Sequence, residues 1–335
     1  MDYLKTLEQE ELVKISNDFD YLSVTDNFVG LRLMPMVRTD NMKLAIYNLL
    51  EGHDIPVSAL VHALDSEARI GDRAEFEEIR YELVLIKEKI NQGEELKKKI
   101  KDLGMSTDND ARLMAIYNDI ANQIAKVLVG FERRACELLS TGKNVIDENG
   151  AKVTIDHKLS TKNKIDFSGW ANADHDILAD IVALKQASNE KIVRFIVSSK
   201  VMGYIVANNT IVDLAGKAGK YATRQFAQEY ILANFNIDFI VDDRTYKFKH
   251  GDKTEYRFFD EMTVVALTSR SEIGATFMTS TPTEDFNETD ASYGFVAVDQ
   301  YVEHDPKAMW TLAEGLGLSV IPNINQTLYI SKITA

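Results

Sequence analysis

The end of the chain carries the segments that decide the fold, GATFMTSTPTEDF over Gly274–Phe286 and YGFVAVDQYVEHDPKAMWTLAEGLGLSVIPNINQTLYISKI over Tyr293–Ile333. The first segment is a run of small residues that leads into a Thr-Pro-acidic patch. In the second, an Asp-Pro pair at Asp305 precedes Trp310, and Pro322 comes shortly before the last apolar residues. The order of these features is more informative than any one of them.

These two segments resemble the closing segments of the lambda-type major capsid proteins of tailed bacteriophages. In that family a small-residue run precedes a Thr-Pro-acidic patch, an Asp-Pro-x-x-x-Trp strand follows, and a proline-containing turn leads into a last strand. Leu328, Ile330 and Ile333 stand in the places of the alternating residues of that last strand. The resemblance extends from about residue 30 to the end of the chain and rests on segment order, because no single motif is diagnostic.

The resemblance implies an α+β chain with the Hong Kong phage capsid fold. Its expected parts are an N-terminal arm at 1–50, an extended β-hairpin loop at 51–104, a peripheral domain at 105–172 and 296–335 with a long spine helix, and an α/β axial domain at 173–295. In this family, subunits assemble as hexamers and pentamers into an icosahedral head, and DNA is packaged through a portal.

The composition limits the possible classes of function but does not decide between them. The 335 residues are enough for two domains. The net charge is −14, and no basic patch is visible beyond Lys97–Lys99. This charge is compatible with a wall that encloses DNA without binding it tightly, and equally with any soluble cytoplasmic protein. The packaged double-stranded DNA that the resemblance implies is therefore expected to be contacted weakly. No apolar run approaches the ~18 residues that cross a bilayer, and the acidic N-terminus lacks an apolar signal core. The single cysteine, Cys136, suits a reducing cytoplasm and predicts a buried, inert thiol.

Residues 66–101 carry two competing patterns. Apolar residues from Phe76 to Ile90 step by three and four, as in an amphipathic helix, whereas the segment Ile79–Leu85 alternates as in a strand. The local pattern slightly favours the helix. The resemblance implies the two strands of a projecting loop, and we predict strands here, with a ribbon over 66–92. A two-stranded ribbon is marginal alone, so we predict inter-subunit contacts at Phe76, Ile79, Tyr81, Leu83 and Leu85.

A long helix and a hairpin follow. Thr107 and Asp110 have capping-box spacing, an apolar face then continues from Leu113 to Leu138, and Gly142 is a plausible stop. This predicts a rod roughly 50 Å long. Asn149-Gly150 between two alternating runs predicts a tight hairpin turn. From Ala173 onward, helices and strands alternate.

A search for chemistry finds no catalytic constellation. The six histidines show no metal-ligand spacing, and the glycines near Gly216 lack the phosphate-loop pattern. We interpret the three aspartates Asp238, Asp242 and Asp243 as a solvated strand end in preference to a cation site. We interpret Ser198–Lys200 as a helix cap in preference to a nucleophile with a lysine partner. We therefore expect no enzyme activity, no catalytic residues, no cofactor and no metal.

Three hypotheses remain open. The first is a phage major capsid protein in the virion, assembled in the host cytoplasm with itself, a separate scaffolding protein, a portal and a possible decoration protein. A separate scaffold is expected because Met1 to about Gly30 is too short for a scaffolding domain, although Leu4, Leu7, Leu12 and Ile15 suit a short helix seated on a neighbouring subunit. The others are a cytoplasmic α/β enzyme and a bacterial nanocompartment shell protein of the same fold.

Overall fold

The structure of the chain is a computed structural model, which describes residues 7–40, 43–49, 76–91, 109–249, 251–286, 293–304 and 307–334. Several sequence features lie outside these ranges: Leu4, most of the predicted loop at 51–104 with the patch Lys97–Lys99, the capping residue Thr107 and the Asp305-Pro306 pair.

The helices range from single turns to one long rod of 33 residues. In chain order they are α1 (Gln9–Asp18), α2 (Tyr21–Thr25), α3 (Gly30–Leu33), α4 (Asn109–Thr141), α5 (Ile177–Ala187), α6 (Ser199–Ala207), α7 (Asn209–Lys217), α8 (Arg224–Phe235), α9 (Pro282–Phe286) and α10 (Ile324–Thr327).

The strands form two larger mixed sheets and three two-stranded ribbons. In chain order they are β1 (Met36–Arg38), β2 (Lys43–Leu49), β3 (Phe76–Glu82), β4 (Val84–Asn91), β5 (Lys143–Glu148), β6 (Ala151–Asp156), β7 (Phe167–Ser168), β8 (Arg194–Val197), β9 (Asp238–Val241), β10 (Thr245–Tyr246), β11 (Tyr256–Arg257), β12 (Thr263–Leu267), β13 (Ala275–Thr279), β14 (Ala297–His304), β15 (Lys307–Val320) and β16 (Leu328–Thr334).

The first sheet is built on the 14-residue strand β15. One edge of β15 pairs with β14 and then β13, and the other edge pairs with β4; β1 joins β13 in parallel. Helix α4, the predicted spine helix, packs against β15 and β4. The approach is close at Gly315, where an added Cβ atom would lie 2.9 Å from Phe131 Cε2 on the helix.

The second sheet has the order β7-β16-β12-β8-β9 and a hydrophobic core on each face. Side chains alternate across a strand, so Val265 of β12 and Ile330 of β16 join the core around α4. Their neighbours Ala266 and Tyr329 join the core formed with α5, α6 and α8. The sheet therefore separates the spine helix from the helical layer of the axial region.

Strands rather than a helix occupy the ambiguous segment, as predicted, but their pairing differs from the prediction. β3 pairs with β2, in the register Lys43↔Glu82 to Leu49↔Phe76, and β4 pairs with β15 of the first sheet. The prediction that 66–92 supply both strands of the ribbon is therefore wrong. The second half of the charged segment has a better partner in β15, because its Ile86 packs onto the spine helix at Gly130.

Other local predictions hold. The spine helix ends at Thr141, and Gly142 follows with a φ of +74°, the left-handed conformation that favours glycine. Asn149 and Gly150 both have positive φ in the turn between β5 and β6. Cys136 is fully buried.

Sheet membership in the described chain differs from the predicted peripheral and axial ranges at three strands. β7 lies in the second sheet beside β16, although 167–168 fell in the predicted peripheral domain. β13 lies in the first sheet beside β15, although 275–279 fell in the predicted axial domain. β16 lies in the second sheet beside β12, although 328–334 fell in the predicted peripheral domain. The two sheets therefore do not coincide with the predicted peripheral and axial ranges.

The N-terminal segment packs onto its own subunit. Leu12 of α1 is buried in the core around the spine helix, and Val13 is buried with Tyr293 and Ala297. Ser16 Oγ donates a hydrogen bond of 2.6 Å to the carbonyl oxygen of Val296. The idea that this apolar face seats on a neighbouring subunit is thus contradicted for Leu12, because its own β14 region already covers it.

Candidate assembly surfaces and the buried Glu132 cluster

A buried carboxylate on the spine helix binds the start of α3. Glu132 is 0% exposed, and its two oxygens accept hydrogen bonds from the backbone N–H groups of Val29, Gly30 and Leu31 at 2.8, 3.0 and 2.8 Å. These N–H groups lie at the first turn of α3, where backbone N–H groups have no acceptor within the helix. Gly30 is required here, since an added Cβ would lie 2.7 Å from Ala135 Cβ.

Arg244, directly after β9, completes what we call the Glu132 cluster: Glu132, Cys136, Asp242 and Arg244. Its Nη2 atom lies 2.8 Å from Glu132 Oε1 and 2.6 Å from Asp242 Oδ2, and its Nη1 donates to the carbonyl oxygen of Asn27 at 2.6 Å. The N-terminal arm, the spine helix and the end of the second sheet therefore meet at one guanidinium group.

Direct ion pairs between Arg244 and two carboxylates stabilise the charges of the Glu132 cluster. Burial disfavours the charged guanidinium, but the hydrogen bonds that Arg244 donates to Asp242 and Glu132 outweigh this effect and raise the pKa of Arg244. Burial and the neighbouring carboxylate of Glu132 raise the pKa of the Cys136 thiol well above its usual value. A thiol held in its neutral form is a poor nucleophile, which agrees with the predicted inert role.

The root of the β2–β3 ribbon is anchored by an aromatic stack. Tyr81, near the end of β3, is 4% exposed and lies in a small core with Ile146, Ile155, Leu318 and others. Its ring stacks on His157 with centroids 4.8 Å apart. The ribbon is therefore fixed where it joins the first sheet and the β5–β6 hairpin.

His157 is buried in its neutral form. Its Nε2 atom lies 3.2 Å from Asn144 Oδ1, and the buried Nδ1 atom has no hydrogen-bond partner. Burial lowers the pKa of His157 to about 4, and the carboxylate of Asp156 opposes this effect only in part. Protonation would place an uncompensated charge at the root of the ribbon.

The predicted contact residues fall into three groups. Phe76 and Ile79 lie on strand β3 of the ribbon. Tyr81 and Leu83 pack within the subunit, Tyr81 buried and Leu83 half-buried. Leu85 lies on β4 with 37% of its surface exposed. Tyr81 and Leu83 are therefore used inside the subunit, and the predicted contacts with another subunit at Phe76, Ile79 and Leu85 stay a prediction.

Leu85 belongs to a partly exposed apolar face of the first sheet. It pairs with Leu316 of β15, and Leu312 lies four pairs further along the ladder, with the Lys87↔Glu314 pair between them on the same face. Leu316 and Leu312 are half-buried. At the far end Tyr301 and Trp310 form a cross-strand pair, with Lys89 Nζ 4.3 Å from the centre of the Trp310 ring. This face, which we call the outer face of the first sheet, is a candidate surface for subunit contacts.

The candidate chemical residues are engaged in structural contacts. Asp238 pairs with Arg194 at 2.6 Å, Asp242 with Arg244, and Asp243 with Arg257 at 2.5 Å. Ser198 caps α6 by accepting a hydrogen bond from the backbone N–H of Val201. Within the described ranges, histidines, cysteines and carboxylates nowhere gather in threes in a geometry suited to a metal ion.

Sequence reasoning did not find the Glu132 cluster. The only available signal was a glutamate in the spine helix three residues before the apolar position Ala135, and surface glutamates produce the same pattern. Each helix in the described ranges is too short or too polar to cross a bilayer.

Comparison with known proteins gives structural relatives only. No family model matches the sequence, and no curated protein matches it at a significant level. A protein assigned as a prophage capsid protein of E. coli CFT073 superposes with a TM-score of 0.67 at 16% identity, covering 98% of this chain and 100% of that one.

Two further structures extend this comparison. A phage-related protein from Bordetella bronchiseptica RB50 superposes with a TM-score of 0.56 at 12% identity, covering 98% of this chain and 97% of that one. A virus-like particle protein from Pyrococcus furiosus gives a TM-score of 0.47 at 14% identity, covering 96% and 98% of the two chains, and we base no conclusion on a score this low. The described chain therefore has the mixed α+β phage capsid fold that the sequence predicted.

Proposed function

We propose that this chain is the shell-forming subunit of a phage capsid. One observation carries the proposal: the chain shares its fold over its whole length, and not in one domain only, with a protein assigned as a prophage capsid protein. A whole-chain match includes the ribbon and the arm, which a compact enzyme domain does not need. The finer assignment to the lambda-type family rests on the resemblance of the closing segments.

The β2–β3 ribbon supports assembly on physical grounds. Its strands are seven residues each, or roughly 23 Å long. Within the described ranges they pair with each other and with no third strand. A two-stranded ribbon is marginally stable alone, so contact with a neighbouring subunit would stabilise it. Phe76, Ile79 and the exposed Leu85 are the proposed contact residues.

The partners follow from the shell role. Copies of the chain would form hexamers and pentamers that close an icosahedral head around double-stranded DNA, in the virion and assembled in the host cytoplasm. The net charge of −14 suits a wall that encloses DNA without binding it tightly. A separate scaffolding protein, a portal and a decoration protein complete the proposed set, and no catalytic, cofactor or metal site is part of it.

The domain roles are proposed with the observed sheet membership taken into account. Residues 1–50 serve as the arm and 51–104 as the extended loop. The region 105–172 and 296–335 serves as the peripheral domain, and 173–295 as the axial domain, with β13 and β16 each completing the other region's sheet. The Glu132 cluster fixes the angle between arm, spine helix and second sheet in each copy.

Electron microscopy of the chain produced with and without its neighbouring phage genes tests the proposal. We expect closed shells, with nuclease-protected DNA in particles from the complete gene set. Shells that form without phage genes and enclose protein in place of DNA would favour the nanocompartment alternative. A discrete small oligomer under every condition would favour an enzyme and contradict the proposal.

A further inference from the structure

The end of α7 forms an exposed basic tip, which consists of Lys217, Lys220, Tyr221 and Arg224. The side chain of Tyr221 is 90% exposed, the highest exposure among the large hydrophobic residues of the described chain. All three basic residues are exposed, and in the described part of the structure none makes an ion pair. On a chain with a net charge of −14, three exposed cations, without ion pairs and within eight residues of one exposed tyrosine, form an unusual segment.

The opposite end of α7 carries an acidic start, which consists of Asp174 and Asp176. Asn209, the first residue of α7, donates through Nδ2 to Asp174 Oδ1 at 2.6 Å and through its backbone N–H to the carbonyl oxygen of Ala173 at 2.9 Å. Asp176 caps α5 by accepting from the backbone N–H of Ala179. Both carboxylates are exposed.

The separation of the two ends prevents pairing within one copy. A helix of nine residues is roughly 13 Å long, which is beyond the range of a direct ion pair. The turn after α7 holds the tip in place: Gly219 has a φ of +69°, and the backbone N–H of Lys220 donates to the carbonyl oxygen of Ala215 at 2.9 Å. The edge of α7 therefore presents opposite charges at fixed positions.

We propose that the edge of α7 is a contact surface between two copies of this chain, with the basic tip of one copy on the acidic start of the next. Opposite charges on two different patches suit a head-to-tail contact, and a head-to-tail contact repeated by rotation closes a ring. Tyr221 and the half-exposed Val212 of α7 supply the apolar part of the contact. The inference rests on the proposed function, since rings of this kind are the units of a closed shell.

A second copy fits the tip better than nucleic acid does. Tight binding of duplex DNA requires many Lys and Arg side chains that neutralise phosphates. The basic tip has only three cations, and the chain around it is acidic. A second copy of the chain carries the complementary acidic start, and every copy carries it at the same end of α7.

Charge reversal tests the contact. The tip variant is Lys217→Glu with Lys220→Glu and Arg224→Glu; the start variant is Asp174→Lys with Asp176→Asn, where asparagine preserves the cap. A control reverses the exposed Lys14, Lys249 and Lys253 to Glu, with the same change in net charge as the tip variant. Folding is checked by circular dichroism and particle yield by sedimentation, under conditions in which the unaltered chain assembles.

We expect the tip variant and the start variant, each tested alone, to lose at least about tenfold in particle yield. The control should assemble normally. Mixing the tip variant with the start variant should restore even-membered rings. In such a mixture each altered patch meets its opposite charge. Normal yield from the tip variant overturns the inference, and so does an equal loss in the control. Intact particles with reduced DNA content would assign the tip to nucleic acid and also overturn it. If the unaltered chain forms no particles, the proposed function itself has failed.

Discussion

Glu132 Oε1 on the spine helix lies 2.8 Å from Arg244 Nη2 at the end of the second sheet, although 112 residues separate them in sequence. The same carboxylate binds three backbone N–H groups of the arm. One fully buried side chain thus connects the arm, the spine helix and the end of the second sheet.

Replacing Glu132 by alanine should strongly destabilise the subunit. The change leaves the Arg244 charge without one partner and three buried N–H groups unbound, and we expect a loss of ~3–5 kcal/mol in the free energy of unfolding. Glu132→Gln keeps an acceptor oxygen and should cost less. Urea unfolding of the unassembled subunit measures both, with exposed Glu10→Ala as the control. Equal stability of the Glu132→Ala and control proteins would show that the cluster is not a structural tie.

Phe131→Ala should open a cavity where the spine helix meets β15. Phe131 is 1% exposed and lies directly over Gly315, so truncation should cost ~3–5 kcal/mol of subunit stability. Leu22→Ala, at a side chain that is 74% exposed, is the control and should change stability by less than about 0.5 kcal/mol. Thermal unfolding of both variants decides this, and an unchanged midpoint for Phe131→Ala would refute the packing described.

Leu85→Asp should leave the subunit folded and impair particle formation. Leu85 is 37% exposed in the single subunit, and a contact with a neighbour would desolvate the new carboxylate. Ile79→Asp on the ribbon should act in the same way, and Leu85→Met is the matched control. Circular dichroism and light scattering measure fold and assembly; normal particles from both aspartate variants would exclude these residues from the interface.

Subunit stability should fall between pH 6.5 and pH 4 because of His157. Its pKa is about 4 in the folded chain against an ordinary histidine pKa of 6.5, so the unfolded chain binds more protons in this window. Stability attributable to this residue is present above pH 6.5 and decreases as the pH falls, by up to about 3 kcal/mol.

His157→Phe keeps a ring against Tyr81 and removes the titration. Urea unfolding at several pH values should therefore show a smaller loss in this variant than in the unaltered chain. The comparison is needed because paired carboxylates such as Glu148, whose pKa is lowered chiefly by its hydrogen bond to Arg133, also lose stability in acid. Parallel pH profiles for the two proteins would rule out His157 as the source.

The sequence predicted the elements whose signals are local. The apolar stripe from Leu113 to Leu138, followed by Gly142, located the spine helix, and Asn149-Gly150 located the hairpin turn. Both signals, helical periodicity and residues that adopt positive φ, depend only on residues close together in sequence. The fold class followed from segment order near Trp310. Strand assignment at 76–90 required the resemblance, since the local pattern slightly favoured a helix.

Partner choice was not predictable from the same signals. β3 and β4 carry similar alternating patterns, and β4 is placed in the first sheet by its pairing with β15 and by the packing of Ile86 against Gly130 of the spine helix. The Glu132 cluster depends on contacts across more than 100 residues, and a buried glutamate looks like a surface one in sequence. Tyr81 was expected at a subunit contact, but its pairing with His157 is set by the β5–β6 hairpin.

Sedimentation velocity of the purified chain, alone and produced with its neighbouring phage genes, tests the shell proposal most directly. The account predicts megadalton particles or ring-shaped capsomers built from the 37.8 kDa subunit in at least one of these conditions. A folded subunit that sediments only as a monomer or a small discrete oligomer in all of them would contradict it.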